Sequence, residues 1–308
     1  MKDFTKPDLI TLLGPTAVGK TRLAARLAAE INGQIISADS RQVYRGMNIG
    51  TGKDLDDYLV LGQIIPYHLI DLVEPGYEYS VFEFVNDFKN IHQGILNTGN
   101  IPILCGGTGL YLDAILRSYQ LSATKQDTRL RSELQLKTDN ELVEMLSGLR
   151  TLHNKTDIKD RERIIRAIEI SLQEEKETPV TLPINTNSLV FGLRFERTTI
   201  RTRITARLKQ RLDMGMVEEV RHLLSTGISP EKLIFYGLEY KYLTLFVTGI
   251  ITFDEMFTQL NTGIHQFAKR QMTWFRHMER NGVYINWLEG EDGEDLNLSR
   301  MMEMARKV

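Results

Sequence analysis

Asp8-Leu9-Ile10-Thr11-Leu12-Leu13-Gly14-Pro15-Thr16-Ala17-Val18-Gly19-Lys20-Thr21 decides the fold. Asp8 to Leu13 is short and apolar enough for a buried strand, and Gly14 to Thr21 matches G-x-x-x-x-G-K-[ST]. Leu23, Leu27 and Ile31 then recur at helical spacing, which predicts a helix from Thr21 to Ile31. Strand, glycine-rich loop and helix, in that order, is the context the motif requires. Its glycines let backbone N–H groups turn inward around phosphate oxygens, and the helix N-terminus adds the positive end of its dipole. Lys20 would neutralise a terminal phosphate and Thr21 would offer its hydroxyl to Mg²⁺. The loop is a diphosphate site, but its residues do not specify which diphosphate.

Outward from the loop, Gln34–Ala38 and Ile101–Leu104 read as further buried strands and Ser80–Leu96 as a helix between them. This alternation predicts an α/β fold, a P-loop NTPase-like parallel sheet flanked by helices. From about Tyr119 to Lys176, glycine and β-branched runs thin out and helix-spaced apolar residues take over. That stretch is a candidate all-helical insertion, closed by a loop with Pro179, Pro183 and residues 185–188. The expected division is a core of residues 1–118 and 187–308 with an inserted domain of 119–186. Leu189–Leu193 would return to the sheet, followed by helices over Thr199–Leu224, near Tyr240 and over Phe253–Arg280. In the last of these, Phe253, Phe257, Leu260, Ile264 and Phe267 form the expected buried stripe, and Val283–Trp287 is a candidate edge strand.

Composition narrows the class without naming a partner. The 308 residues are 42% hydrophobic and 25% charged, ordinary for a globular chain with a sizeable core. A net charge of −2 advertises no global affinity for nucleic acid, so any basic surface must be local. One cysteine, Cys105, excludes an internal disulfide framework and fits a reducing cytoplasm. No apolar run approaches the ~20 residues of a membrane span or suits a secretory signal. The strongest basic cluster runs from Arg194 to Arg211, where Arg203, Arg207 and Arg211 recur every fourth residue and Ile200, Ile204, Leu208 and Leu212 form a stripe expected on the opposite, buried face.

The second strand leads into Asp39-Ser40-Arg41-Gln42-Val43-Tyr44, one helix after the Lys-Thr phosphate loop. With Pro66-Tyr67-His68-Leu69-Ile70-Asp71, Gly106-Gly107-Thr108-Gly109-Leu110-Tyr111, Arg163-Ile164-Ile165-Arg166-Ala167-Ile168-Glu169 and Ala268-Lys269-Arg270-Gln271-Met272-Thr273-Trp274-Phe275, this resembles the tRNA dimethylallyltransferase family across nearly the whole chain. Two places depart from the family's pattern. Gly52-Lys53-Asp54 stands where Ala-Lys-Pro is usual, and Gly237-Leu238-Glu239-Tyr240 stands where a Gly-Tyr-Lys/Arg segment is usual. No Cys/His zinc module follows, as in the compact bacterial form.

The resemblance implies transfer of a dimethylallyl group from dimethylallyl diphosphate to the N6 amine of the adenosine 3′ to a tRNA anticodon. It places the diphosphate on Gly14, Pro15, Thr16, Ala17, Val18, Gly19, Lys20 and Thr21, with Mg²⁺ at Thr21 and Arg207 on the leaving group. Asp39 becomes the base, which suits an exocyclic amine whose lone pair is delocalised and which must lose a proton. The anticodon stem-loop is expected against Asp39, Ser40, Arg41, Gln42, Thr108, Arg129, Glu162, Arg163, Ile164, Ile165 and Arg166, with the protein acting as a monomer. Two other readings remain open from the residues. A small-molecule kinase would use Asp39, or Asp71, to hold metal. A nucleotide-regulated RNA-binding protein would bind tRNA and leave the allylic diphosphate intact.

Overall fold

The computed structural model describes residues 7–119, 121, 127–149, 161–174 and 186–306. Contacts divide the chain into two compact units, Met1–Ser118 with Ile184–Val308, and Tyr119–Pro183. The larger unit begins with β1 (Leu9–Leu13), buried along its whole length as a continuous apolar strand must be. Its one polar side chain, Thr11, shares a 2.8 Å hydrogen bond with the Ser188 hydroxyl on the adjacent strand.

In chain order there follow α1 (Lys20–Ile31), β2 (Gly33–Ala38), a two-stranded hairpin of β3 (Leu59–Val60) and β4 (Gln63–Ile64), β5 (Tyr67–His68), α2 (Val81–Asn97), β6 (Ile101–Gly106) and α3 (Gly109–Leu116). The smaller unit supplies α4 (Thr128–Gln135), α5 (Asp139–Leu149) and α6 (Arg161–Glu174). The chain then returns through β7 (Ser188–Arg194), α7 (Arg197–Asp213), α8 (Met216–Ser225), α9 (Pro230–Phe235), α10 (Leu238–Val247), α11 (Phe253–Arg280), β8 (Asn286–Glu289) and α12 (Glu294–Arg306).

Six strands form one all-parallel sheet in the order β5-β2-β6-β1-β7-β8. Ala38 and Leu13 both pair with Gly106, and Leu13 also pairs with Gly192, so the carboxyl ends of β2, β6, β1 and β7 lie in one row. In an open α/β sheet that row is where ligands bind. One face packs Ile10, Leu12, Ile35, Ile103 and Phe191 against Leu23, Leu27, Leu298 and Met301 of α1 and α12. A separate core gathers α7, α8, α10 and α11 around Ile204, Leu208, Val220, Tyr240 and Leu260. Among the described residues no helix is long and apolar enough to cross a membrane.

Several elements differ from the sequence reading. Thr199–Leu224 is two helices, broken where Gly215 takes φ 96° in the left-handed region that glycine tolerates. The edge strand lies at Asn286–Glu289, later than Val283–Trp287, and α9 and α12 have no counterpart in that reading. Phe253 and Phe267 are 45% and 39% exposed; the buried stripe of α11 is Met256, Leu260, Ile264, Ala268, Gln271, Phe275 and Met278. Spacings of three and four fit both sets over the shared Leu260 and Ile264, so the apolar pattern alone left the stripe's ends open. Capping boxes fix the starts of α2 (Ser80 with Glu83) and α11 (Thr252 with Glu255), each a device of about 1 kcal/mol.

The smaller unit has its own core of Leu134, Leu142, Leu146, Ile164, Ile165, Ala167 and Ile168. Beside it, the fully buried Glu169 takes hydrogen bonds at 2.8 and 3.1 Å from Arg131 and one at 3.2 Å from Arg166.

Candidate functional site

The loop after β1 curls as the motif demands. Ala17 and Gly19 have φ of 63° and 87°, and Gly14 sits so close to β7 that a Cβ there would meet the Leu193 carbonyl at 2.4 Å. The N-cap of α1 is Gly19, which has no side chain to accept the helix's first N–H groups. Lys20 folds back over the loop and donates to the Pro15 carbonyl at 2.6 Å. Part of the residue stays open to solvent, yet its ammonium lies deep enough that burial lowers its pKa to about 8, with Cys105 and Asp39 opposing and Arg207 reinforcing the shift. Beneath it, burial pushes the Cys105 thiol up to about 12, partly offset by Lys20. Arg203 braces the loop from α7, donating to the Ala17 carbonyl at 2.8 Å while its guanidinium lies 4.5 Å over the Phe195 ring.

The loops after β2 and β6 are tied to each other. Thr108 donates its N–H to the Ala38 carbonyl at 3.2 Å, and its hydroxyl accepts the Ser40 N–H at 3.0 Å. One oxygen of Asp39 accepts the Arg41 N–H at 2.9 Å; the other has no hydrogen-bond partner among the described residues. Gln42 is engaged on both sides, accepting from the Ser37 hydroxyl at 3.0 Å and donating to the Gly52 carbonyl at 3.1 Å. The Arg41 guanidinium lies 5.9 Å over the Phe235 ring. Asp71, the other acid considered for metal, is held by the buried Lys53 beyond the sheet's edge strand.

The arginines of α7 do not face away from its apolar stripe. Consecutive helical residues lie only ~100° apart, and Arg207, Arg211, Ile204 and Leu208 line one cleft with Thr16, Ala17 and Glu239. Arg207 is paired with Asp54. Burial raises the pKa of the Glu239 carboxyl; its own backbone N–H and Arg211 oppose the rise, while Asp39 adds to it. Lys20, Thr21, Asp39 and Arg207 all belong to the larger unit; Arg207 lines the cleft, and Lys20 feels the charges of both Arg207 and Asp39.

The remaining expected RNA contacts lie in the helical unit. Arg129 is 91% exposed and Glu162 is exposed, whereas the Arg166 side chain bonds Glu169. At 1% and 0% exposure the side chains of Ile164 and Ile165 belong to the unit's core, which leaves only their backbone to meet RNA. The side chain of Arg163 lies outside the described residues.

Comparison with known proteins now decides the affiliation. The family described as IPP transferase matches residues 42–278, and the one described as isopentenyl transferase matches residues 7–63. The chain belongs to the IPP transferase family. A curated protein of Bacteroides fragilis named tRNA dimethylallyltransferase 2 is 56% identical over 92% of each chain. Another of Parabacteroides distasonis, named tRNA dimethylallyltransferase 1, is 54% identical over 92% of each. The crystal structure of the full-length tRNA isopentenylpyrophosphate transferase of Bacillus halodurans is 30% identical and superposes with a TM-score of 0.71, covering 98% of this chain and 97% of that one.

In this IPP transferase family member, four site residues had no signal in the sequence beyond their motifs. Glu219 of α8 accepts the N–H groups of Asn48, Ile49 and Gly50 at 2.7–3.0 Å and the Tyr240 hydroxyl at 2.7 Å, clamping the loop that leads to Asp54. Lys53, with a fully buried side chain, joins that loop to Asp71 and the Tyr44 carbonyl. Asp54 faces Arg207. Gln271 bridges the phosphate loop and the β6 loop, accepting the Thr16 N–H at 2.9 Å and donating to the Gly107 carbonyl at 2.8 Å. Gln271→Leu keeps the volume and strands both backbone groups, so it should lower stability by about 1–3 kcal/mol. Thermal unfolding checks this; an unchanged melting temperature would show that the bridge does not hold the two loops.

Proposed function

We propose that this chain transfers a dimethylallyl group from dimethylallyl diphosphate to the N6 amine of the adenosine 3′ to the tRNA anticodon, giving N6-(dimethylallyl)adenosine and diphosphate. The observation that carries the mechanism is the placement of a carboxylate with a free oxygen, Asp39, within electrostatic reach of Lys20 on the phosphate loop. Breaking the allylic carbon–oxygen bond leaves cationic character on carbon and negative charge on diphosphate. The loop N–H groups, Lys20 and Arg207 stabilise that charge where it develops. The amine nitrogen bonds the allylic carbon, and its proton passes to the free oxygen of Asp39.

Mg²⁺ would neutralise part of the diphosphate charge. Thr21 fits the role of its protein ligand, in the first turn of α1 beside the loop. Among the described residues no three His, Cys, Asp or Glu converge to hold a metal, so the donor's own oxygens would complete its coordination. Donor loop and base come from one chain, which supports a monomer as the active form.

For tRNA, Asp39–Gln42 and Thr108 would meet an adenosine drawn out of its stack. The helical unit would grip the anticodon stem-loop through Arg129, Glu162, Arg163 and Arg166. Replacing Arg163 and Arg166 together by Ala should weaken tRNA binding about tenfold or more, most at low salt, with donor affinity unchanged in the absence of RNA. Because Arg166 also bonds the buried Glu169, melting of the variant must be compared with the parent. Unaltered tRNA affinity in a folded double variant would place the grip elsewhere. The reaction itself is tested by incubating the protein with unmodified tRNA and labelled dimethylallyl diphosphate. Label should enter RNA; RNA-independent turnover of ATP without labelling would favour the kinase reading instead.

A further inference from the structure

Arg211 lies one turn beyond Arg207 on α7, in the same cleft as Thr16 and Ala17 of the phosphate loop. Its side chain is only 12% exposed, yet its Nη2 has no hydrogen-bond partner among the described residues. Asp54 Oδ2 lies 3.5 Å away, and it is the oxygen that already takes the hydrogen bond of Arg207. Two guanidinium groups thus converge on one carboxylate oxygen, and the second is left unsatisfied. Gly52 makes room for this: a Cβ there would come within 2.1 Å of Arg211 Nη2. Glu239 faces the pair from the start of α10, so the acids at both departures from the family's sequence pattern meet the same arginines. Burial, followed by the neighbouring Arg207, lowers the Arg211 pKa from the usual arginine range.

We propose that Arg211 is a second arginine for the donor's diphosphate, and that Asp54 is a stand-in anion which the diphosphate displaces. The inference rests on the reading that this cleft takes the donor. A diphosphate offers several oxygens at the spacing two guanidinium forks require, whereas one carboxylate oxygen satisfies only one. Exposure decides which partner moves. The Asp54 side chain is 39% exposed and can turn into water, while Arg211 is enclosed by Gly52, Glu239 and the cleft wall. Binding then exchanges one ion pair for another and leaves the arginines in place.

The test is calorimetric titration with inorganic diphosphate and, separately, dimethylallyl diphosphate, without RNA and with Mg²⁺ held constant. Arg211→Met should weaken both by about tenfold or more, Arg211→Lys by less, and neither should alter tRNA affinity. Asp54→Ala should tighten diphosphate binding several-fold by removing the competitor. Lys20→Ala separates the two levels of inference. If Lys20→Ala loses diphosphate and Arg211→Met does not, the role of Arg211 is overturned and the cleft stands. If Lys20→Ala also keeps parental affinity, the cleft itself is misassigned. Should Arg211→Met fail to fold, Arg211→Lys and Asp54→Ala decide, and parental diphosphate affinity in both overturns the proposal.

Discussion

Asp39→Asn should retain the fold and donor binding and lose about 10²–10⁴-fold in transfer, the usual contribution of a general base. The substitution is nearly isosteric. An asparagine oxygen can still accept the Arg41 N–H that Asp39 receives at 2.9 Å, so the turn after β2 should survive. It removes the capacity of the second oxygen to accept a proton from an amine. The loss should appear in turnover at saturating donor and tRNA, with the donor KM little changed. Turnover within a few-fold of the parent would remove Asp39 from the base role and leave it a turn-capping residue.

Lys20→Ala should cost about 10²–10³-fold in donor kcat/KM, comparable to removing one preorganised donor from a developing oxyanion. The position carries a second signature in its pH dependence. The free enzyme holds Lys20 at about 8, lowered chiefly by burial, so its ammonium is present below that pH and is lost as pH rises through it. Donor kcat/KM should therefore fall above about pH 8, and Lys20→Arg should move that limb to higher pH even if its overall rate is lower. The stability effect runs the other way. A lysine whose folded pKa lies below its unfolded value of 10.5 leaves the native state less stable below pH 8 and progressively less penalised up to 10.5. Lys20→Ala should thus melt no lower than the parent at neutral pH. A fall in melting temperature alongside the fall in rate would mean that Lys20 supports the loop structurally.

The parts of this site that lie close in sequence were legible, because their physics is local. Gly14–Thr21 announces its own turn, Ile35–Ala38 its burial, and Ser80 with Glu83 the start of a helix. The return of the chain at β7 was legible too, since four apolar residues and a glycine after a polar loop have few places to go. What joins the site was not. Arg207 meets Asp54 across 153 positions, Glu219 meets Asn48 across 171, and Gln271 meets Thr16 across 255. No periodicity links such pairs, and a motif marks a residue without naming its partner. The arginines of α7 read as a basic surface because spacing gives the angle around a helix and not what lies opposite. Ile164 and Ile165 stand in a motif that resemblance assigns to RNA, but their side chains fill the core of the helical unit.

Cys105 is the only cysteine in the chain, and it lies buried beneath the phosphate loop with its thiol held far from ionisation at neutral pH. Thiol-directed reagents need an accessible thiolate, so the unmodified protein should not react with maleimides or iodoacetamides. A cysteine introduced on an exposed position without an assigned role, Leu136 for instance, would then be the single reactive thiol. A fluorophore or spin label could be placed there without first engineering away the natural one, and RNA engagement followed by spectroscopy in a protein whose catalytic residues are all native.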